Sequence, residues 1–263
     1  MKLYAAPLLL TSAGYFINIR SDYASNYIPL YYISKYALAY AFTRTEAFRR
    51  PFGKDDVFDW DNYIGALPRN KYPIYTTPAI PVKTENNRLK YVMPSEITLD
   101  RQIFNIRPES PYEEMPDRFP KYGTIECMKP CTEFITFLFS EKKDIIKRVI
   151  DCRTYLVGFK RVMFTVEEFP MGSKIVETRP KDEGEFETNC YIELRIGSEI
   201  LKNFVTYETY DVSKRTMVFK GRFIGKAYQA LFPFNNGVTI NIPTVYADEF
   251  YGERNKIDVP SRA

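Results

Sequence analysis

The sequence predicts an α+β fold, in which two helices cover one face of a sheet of roughly eight strands. Two segments carry apolar residues at helical spacing, and most of the remaining chain alternates apolar with polar residues, as strands do. Hydrophobic residues make up 45% of the 263 residues, which is enough for a packed core. The sequence contains no internal repeat and no low-complexity tract, so we treat the regular elements as one compact unit.

A first strand or strand pair is predicted at the N-terminus, where the apolar run 3–10 precedes the alternating stretch 15–20. The run is short and is interrupted by Pro7, so it fits a strand better than a signal peptide. A helix is predicted over residues 30–48, because this segment has helical spacing and lacks Gly and Pro. Pro29 is expected in the first turn of that helix, where proline is tolerated.

Segments rich in proline, glycine and short polar residues predict loops. Residues 49–73 are rich in Pro, Gly, Asp and Asn, and residues 107–121 contain four prolines. Residues 72–79 predict an extended segment, because residues that precede proline avoid the helical region.

The second half of the chain predicts one helix and then strands. Residues 140–151 carry a stripe of isoleucine and valine at helical spacing. An acidic connector with Gly172, Pro180 and Gly184 is expected to separate strands in which β-branched and aromatic residues have polar neighbours. The predicted strands are residues 153–168, 189–196, 203–210, 215–224 and 237–246.

The chain contains no histidine, although it has 21 tyrosines and 20 phenylalanines. Histidine is the only side chain whose unperturbed pKa suits proton transfer near neutrality. Mechanisms that pair Ser or Cys with His, and metal sites built on His, are therefore excluded. This composition favours binding or assembly over catalysis, and we expect a protein that is not an enzyme.

The formal net charge of +4 conceals a segregated charge distribution. Residues 1–50 have six basic and two acidic residues, and residues 212–247 have five basic and no acidic ones. Residues 167–187 have seven acidic residues against three basic ones. Such asymmetry is typical of a subunit that meets an anion on one face and other proteins elsewhere.

Four cysteines are too few for a disulfide-dense secreted scaffold. Cys127 and Cys131 have a spacing unlike that of the usual zinc knuckle, so we expect buried free thiols, no metal and no cofactor. No run approaches the ~18 apolar residues that span a bilayer, so we expect no membrane contact and a cytoplasmic location.

Two basic segments are candidates for phosphate contact. Residues 158–161 read Gly-Phe-Lys-Arg, where the glycine permits close backbone approach and Lys160 and Arg161 offer charge to phosphates. An ordinary hairpin turn with solvated bases is the alternative interpretation. Arg44, Arg49 and Arg50 lie at the end of the predicted first helix, where cations also complement the helix dipole.

A third basic segment, residues 220–228, interleaves bases, glycines and aromatic residues. Phosphate contacts from Lys or Arg combined with stacking on aromatic rings are how single strands are held. The alternative is a strand in which Phe219 and Phe223 face the core while Lys220 and Arg222 face water.

Three segments of the chain resemble the Cas5 family of CRISPR-associated proteins, and more narrowly its Csc1-type members from type I-D complexes. The segments are SKYALAYAF at 34–42, YPIYTTPAIPV at 72–82 and RTYLVGFKRVMFTVEEF at 153–169. Their order agrees with that family over roughly residues 15–170, whereas later residues match in general character only. The chain departs from the family at its Arg-Leu-Gly-Lys pattern, because Phe159 separates Gly158 from Lys160.

The resemblance implies an RRM-like, or ferredoxin-like, RAMP fold over residues 1–150 with long loop insertions. Residues 151–263 would be a β-rich continuation of the same compact unit. It also implies a non-catalytic subunit of a Cascade complex that holds the 5′ handle of the crRNA and caps the backbone filament. Its implied partners are the crRNA, the backbone subunits and the large subunit.

Two other functions remain open from the residues: a metal-independent endoribonuclease that processes crRNA, and a structural assembly protein free of nucleic acid. Under the RNA-binding hypothesis, the stacking candidates are Tyr27 and Phe223. The candidates for phosphate contact are Arg20, Arg44, Arg49, Arg50, Lys160, Arg161, Lys220, Arg222 and Lys226.

Overall fold

The computed structural model describes ten segments of the chain. They are residues 3–16, 19–23, 26–43, 74–85, 88–106, 121–157, 162–168, 175–213, 216–233 and 237–244. These residues form an α+β structure that is mostly β, with two α-helices, α1 (Lys35–Thr43) and α2 (Lys143–Cys152). Two short 3₁₀ helices, Pro94–Glu96 and Glu199–Asn203, lie between strands.

Seventeen strands occur in the described segments. The first nine are β1 (Tyr4–Ser12), β2 (Ile19–Tyr23), β3 (Asn26–Pro29), β4 (Ile74–Thr76), β5 (Ile80–Glu85), β6 (Arg88–Tyr91), β7 (Leu99–Ile106), β8 (Lys121–Met128) and β9 (Glu133–Ser140). The others are β10 (Thr154–Val157), β11 (Val162–Glu168), β12 (Val176–Glu177), β13 (Arg179–Glu187), β14 (Ile192–Arg195), β15 (Phe204–Val212), β16 (Thr216–Phe232) and β17 (Val238–Pro243).

The strands form three sheets. The first has eight strands, in the order β10-β11-β1-β9-β5-β6, with β12 beside β1 and β4 beside β9. The second has five strands around the long β16, which pairs with β13, β14, β15 and β17. The third has four strands, in the order β2-β3-β8-β7.

Both faces of the first sheet are covered at β1, whose successive side chains point to opposite sides of the sheet and are nearly all buried. Leu8 and Leu10 of β1 pack in one core cluster with Leu38 of α1 and Ile146 of α2. Leu9 belongs to a second cluster, which residues of the second sheet complete. The expectation that the sheet is covered on a single face is therefore wrong, since the β-rich second half of the chain covers the other face.

A buried polar cluster joins α1 to the second sheet. Glu193 of β14 accepts hydrogen bonds from the Lys35 backbone N–H at 2.7 Å and from Ser34 Oγ at 3.0 Å. Tyr32 OH donates to the same carboxylate at 3.4 Å. Glu193 and Lys35 are 1% and 0% exposed. The carboxylate therefore accepts a hydrogen bond from a backbone N–H in the first turn of α1, which has no acceptor within the helix, although the two residues are 158 positions apart in the chain.

Burial raises the pKa of the Glu193 carboxyl above its ordinary value. The Lys35 charge and the hydrogen bonds from Lys35, Ser34 and Tyr32 act in the opposite direction. The Lys35 ammonium lies 5.0 Å from the centre of the Tyr36 ring, so an aromatic face as well as a carboxylate neighbours the buried cation.

Several sequence predictions are confirmed, and others are wrong in bounds or type. The helix over residues 140–151 is α2. The first helix begins only at Lys35, because Ile33 forms a β-bridge with Ala79, and Pro29, expected in the first turn of that helix, instead ends β3. Residues 72–79 include β4, as the prolines indicate. The acidic connector, which was expected to separate strands, itself contains β12 and β13. The described segments therefore contain more strands than the roughly eight that the sequence predicts. The predicted loop 49–73 and residues 107–120 of the second predicted loop lie outside the described residues.

The expectation of buried free thiols holds for two of the four cysteines. Cys127 and Cys190 are buried, whereas Cys131 and Cys152 are exposed. Within the described segments, no group of three or more Cys, Asp or Glu side chains is arranged to hold a metal ion. None of the helices in those segments has the length and apolarity to cross a bilayer.

Candidate nucleic-acid interface

The long strand β16 carries the basic segment that the sequence singled out. Along its middle, Phe223 and Ala227 are buried while Arg222, Ile224 and Lys226 are exposed, as strand alternation requires. Gly221 allows β15 to approach closely, because a Cβ there would lie 2.7 Å from the Tyr207 Cα. The segment 220–226 is therefore a packed strand that shows its charged side chains to solvent.

Lys220 is held by three partners, of which Glu208 lies on β15, Tyr91 lies on β6, and Tyr191 directly precedes β14. Its ammonium lies 3.2 Å from the Glu208 carboxylate, directly across on β15. The same ammonium lies 5.1 Å from the Tyr191 ring centre and 5.9 Å from that of Tyr91. Because Tyr191 OH also donates to Glu208 at 3.1 Å, the lysine and the carboxylate belong to one polar network.

Arg222 is more accessible but also has a carboxylate partner. Its Nη1 atom lies 3.1 Å from Glu185 Oε1 on the neighbouring strand β13. The Arg222 side chain is 57% exposed, against 33% for Lys220. Exposed ion pairs of this kind stabilise by about 0–1 kcal/mol, so a phosphate can replace the carboxylate at little cost.

Lys226 differs from Lys220 and Arg222, because no carboxylate partner holds its ammonium within the described segments. It is exposed on β16. Of the three cations predicted on this strand, Lys226 is therefore the one whose ammonium is directly available to an anion.

Phe223 corrects the sequence hypothesis. Its ring is 1% exposed and packs against Phe204 and Phe186, with ring centres 5.5 and 5.8 Å away. A ring enclosed in this way has no face for a base, so Phe223 is a core residue and not a stacking partner. The alternative reading of this strand, with Phe219 and Phe223 inside and charges outside, describes it correctly.

The described part of the structure does not place the other predicted RNA contacts beside β16. Arg20 lies on β2 and Tyr27 on β3, adjacent strands of the third sheet. The remaining candidates, Arg44, Arg49, Arg50, Lys160 and Arg161, lie outside the described residues.

Sequence reasoning missed a cationic surface on the hairpin of β5 and β6. Lys83 and Lys90 are exposed and lie directly opposite each other in the register of the two strands. The segment 83–90 reads Lys-Thr-Glu-Asn-Asn-Arg-Leu-Lys, in which Asn-Asn between charged flanks is a turn signal. That signal predicts a hairpin in which these two lysines face each other.

Comparison with known proteins identifies the class of protein. The family described as "Type I-D CRISPR-associated protein Cas5/Csc1" matches residues 1–249, nearly the whole chain. The chain is thus a CRISPR-associated protein. It belongs to the type I-D Cas5/Csc1 family, as the three sequence segments indicated.

Three solved structures similar to the chain also come from CRISPR systems. A chain of the type III-B Cmr-beta bound to cognate target RNA and AMPPnP has 12% identity and a TM-score of 0.43, over 96% of this chain and 90% of that one. A chain of a CRISPR RNA-guided surveillance complex has 12% identity and a TM-score of 0.36, over 95% and 100%. A CRISPR protein from Archaeoglobus fulgidus has 12% identity and a TM-score of 0.36, over 92% and 100%. No curated protein matches the chain.

Proposed function

We propose that this protein is a non-catalytic, crRNA-binding subunit of a type I-D CRISPR effector complex. In this proposal it holds the 5′ handle of the guide and caps the filament of backbone subunits, and it contacts both those subunits and the large subunit. The observation that carries the proposal is the family match over residues 1–249. A cytoplasmic location follows from the same proposal.

The order of strands in the first sheet supports an RRM-like core. The strands β11, β1, β9 and β5 are neighbours in that order, and each neighbouring pair is antiparallel. Helix α1 lies between β1 and β5 in the chain, and α2 lies between β9 and β11. This βαββαβ arrangement is that of the ferredoxin-like motif. Because β10 and β11 follow residue 150 and complete this sheet, residues 151–263 fit a continuation of one unit.

We propose that the protein binds the RNA through cations that contact its backbone phosphates, and not through contacts to particular bases. Lys226 is the leading described contact, Arg222 contributes by exchanging Glu185 for a phosphate, and Lys220 contributes least because its network restrains it. Tyr27 remains a proposed stacking partner. The further proposed phosphate contacts are Arg20, Arg44, Arg49, Arg50, Lys160 and Arg161.

Two observations support a role without catalysis. The chain has no histidine, so a proton transfer near neutrality would fall to another side chain, such as tyrosine or lysine. Burial raises the pKa of Tyr32, Tyr91, Tyr191 and Tyr210 above the ordinary tyrosine value. A tyrosine whose pKa is raised loses its proton less readily, so these four are poorly suited as general bases.

The test is a salt series with the purified protein and a single-stranded RNA that carries the repeat-derived 5′ handle. Affinity should fall steeply with salt, and K226A should reduce the slope of log K against log salt by about 0.7. K202A is the matched control, because Lys202 is 77% exposed and pairs with Glu199 instead. A flat salt response would contradict the proposal, and specific cleavage of precursor crRNA in EDTA would contradict its non-catalytic part.

A further inference from the structure

The hairpin of β5 and β6 presents a cationic face to solvent. Lys83 pairs with Lys90, and Glu85 pairs with Arg88, across the two antiparallel strands. Directly opposite residues point to the same side with Cβ atoms about 5 Å apart, and residues two apart share a face. Three cations and one carboxylate therefore share the outer face of this hairpin, and all four residues are exposed.

The inner face of the same hairpin is anchored. Val82, Leu89 and Tyr91 point the other way and line an apolar pocket of about 100 Å³ together with Phe137 of β9 and Val238 of β17. Val82 is buried, and Leu89 and Tyr91 pack against the core cluster between the two large sheets. The hairpin is thus fixed by apolar contacts on one side, which sets the direction in which the lysines point.

The lysine pair is unfavourable in the isolated chain. Like charges directly opposite on paired strands are destabilising, whereas an opposite charge at either position would stabilise by roughly 0.2–1 kcal/mol. In the segments that the structure describes, neither ammonium forms an ion pair with a carboxylate. An anion placed between the two ammonium groups would convert this repulsion into two attractions.

We infer that Lys83 and Lys90 bind one backbone phosphate of an RNA strand between them. This inference rests on the proposed function and adds a contact at the β6 edge of the first sheet. Lysine suits the role because its ammonium is a point charge that needs no planar partner. Arg88 lies on the same face about 7 Å further along the strand, so an RNA backbone can contact it as well.

The experiment compares K83E with the wild-type protein and with K202E, using a fluorescent 12-nucleotide oligouridylate as the probe. K83E should weaken binding about three- to tenfold at ~0.1 M salt, and the salt slope should fall by about 0.7 for the lost phosphate contact. The melting temperature should stay level or rise, because K83E places a carboxylate opposite Lys90. K202E makes the same change in net charge at an exposed lysine of the 3₁₀ helix.

The outcomes separate the two proposals. If the wild-type protein binds oligouridylate with a steep salt dependence and K83E binds like K202E, the phosphate site is refuted while the proposed function stands. If the wild-type protein binds no RNA at any salt concentration, both fail. If K83E leaves RNA binding unchanged but abolishes binding of a polyglutamate peptide, the surface serves an acidic protein and the phosphate site is refuted.

Discussion

The buried carboxylate of Glu193 makes the sharpest prediction about stability. The substitution E193A removes the acceptor for the Lys35 N–H and the Ser34 hydroxyl. A buried donor left without its acceptor typically costs about 1–3 kcal/mol, so the loss for these two donors together is about 2–6 kcal/mol. For a chain of this size, each kcal/mol lowers the melting temperature by about 2–4 °C.

E193A should therefore melt roughly 4–24 °C below the wild-type protein in a thermal scan followed by circular dichroism. The control is E199A, because the Glu199 side chain is 91% exposed and its ion pair with Lys202 is a surface contact. E199A should shift stability by no more than about 0.5 kcal/mol. If E193A melts within 2 °C of the wild-type protein, the carboxylate does not join α1 to the second sheet as described.

The same group predicts a pH dependence. A carboxyl whose pKa is raised in the folded state binds more protons there than in the unfolded chain, so stability falls as pH rises above the ordinary value of 4.5. E193Q cannot ionise, so its stability relative to the wild-type protein should increase from pH 4.5 upward. Urea titrations at three pH values between 4.5 and 8 measure this difference, and parallel curves would show that Glu193 has no raised pKa.

The remaining predictions concern β16. G221A should destabilise by about 1–3 kcal/mol in urea titrations, since its Cβ would meet the β15 backbone, whereas G14A, with only an ordinary contact nearby, should be close to neutral. E185Q should raise RNA affinity by up to about fivefold in fluorescence anisotropy, because it releases Arg222 from its carboxylate partner. E183Q makes the same charge change at an exposed position of the same strand, and equal affinities of the two variants would exclude Arg222 as a phosphate contact.

The elements that were predicted correctly depend on local signals. Helix α2 was found because Ile145, Ile146 and Val149 form one apolar stripe, and those three residues are the buried ones. Strand β13 was missed because Pro180, Gly184 and its run of acids are typical of loops. That strand lies at the edge of the second sheet, and an edge strand tolerates proline and outward charges.

Residues 220–228 carry bases between aromatic residues, which is evident without coordinates, and three matching segments of the chain indicate the family. Which groups those side chains contact depends on the fold. Whether a lysine faces a carboxylate, as Lys220 faces Glu208, or another lysine, as Lys83 faces Lys90, depends on which strand pairs with it and in which register. Register and long-range pairing are set by the packing of the whole chain. A short segment of sequence therefore does not show whether a charged side chain is free to bind an anion.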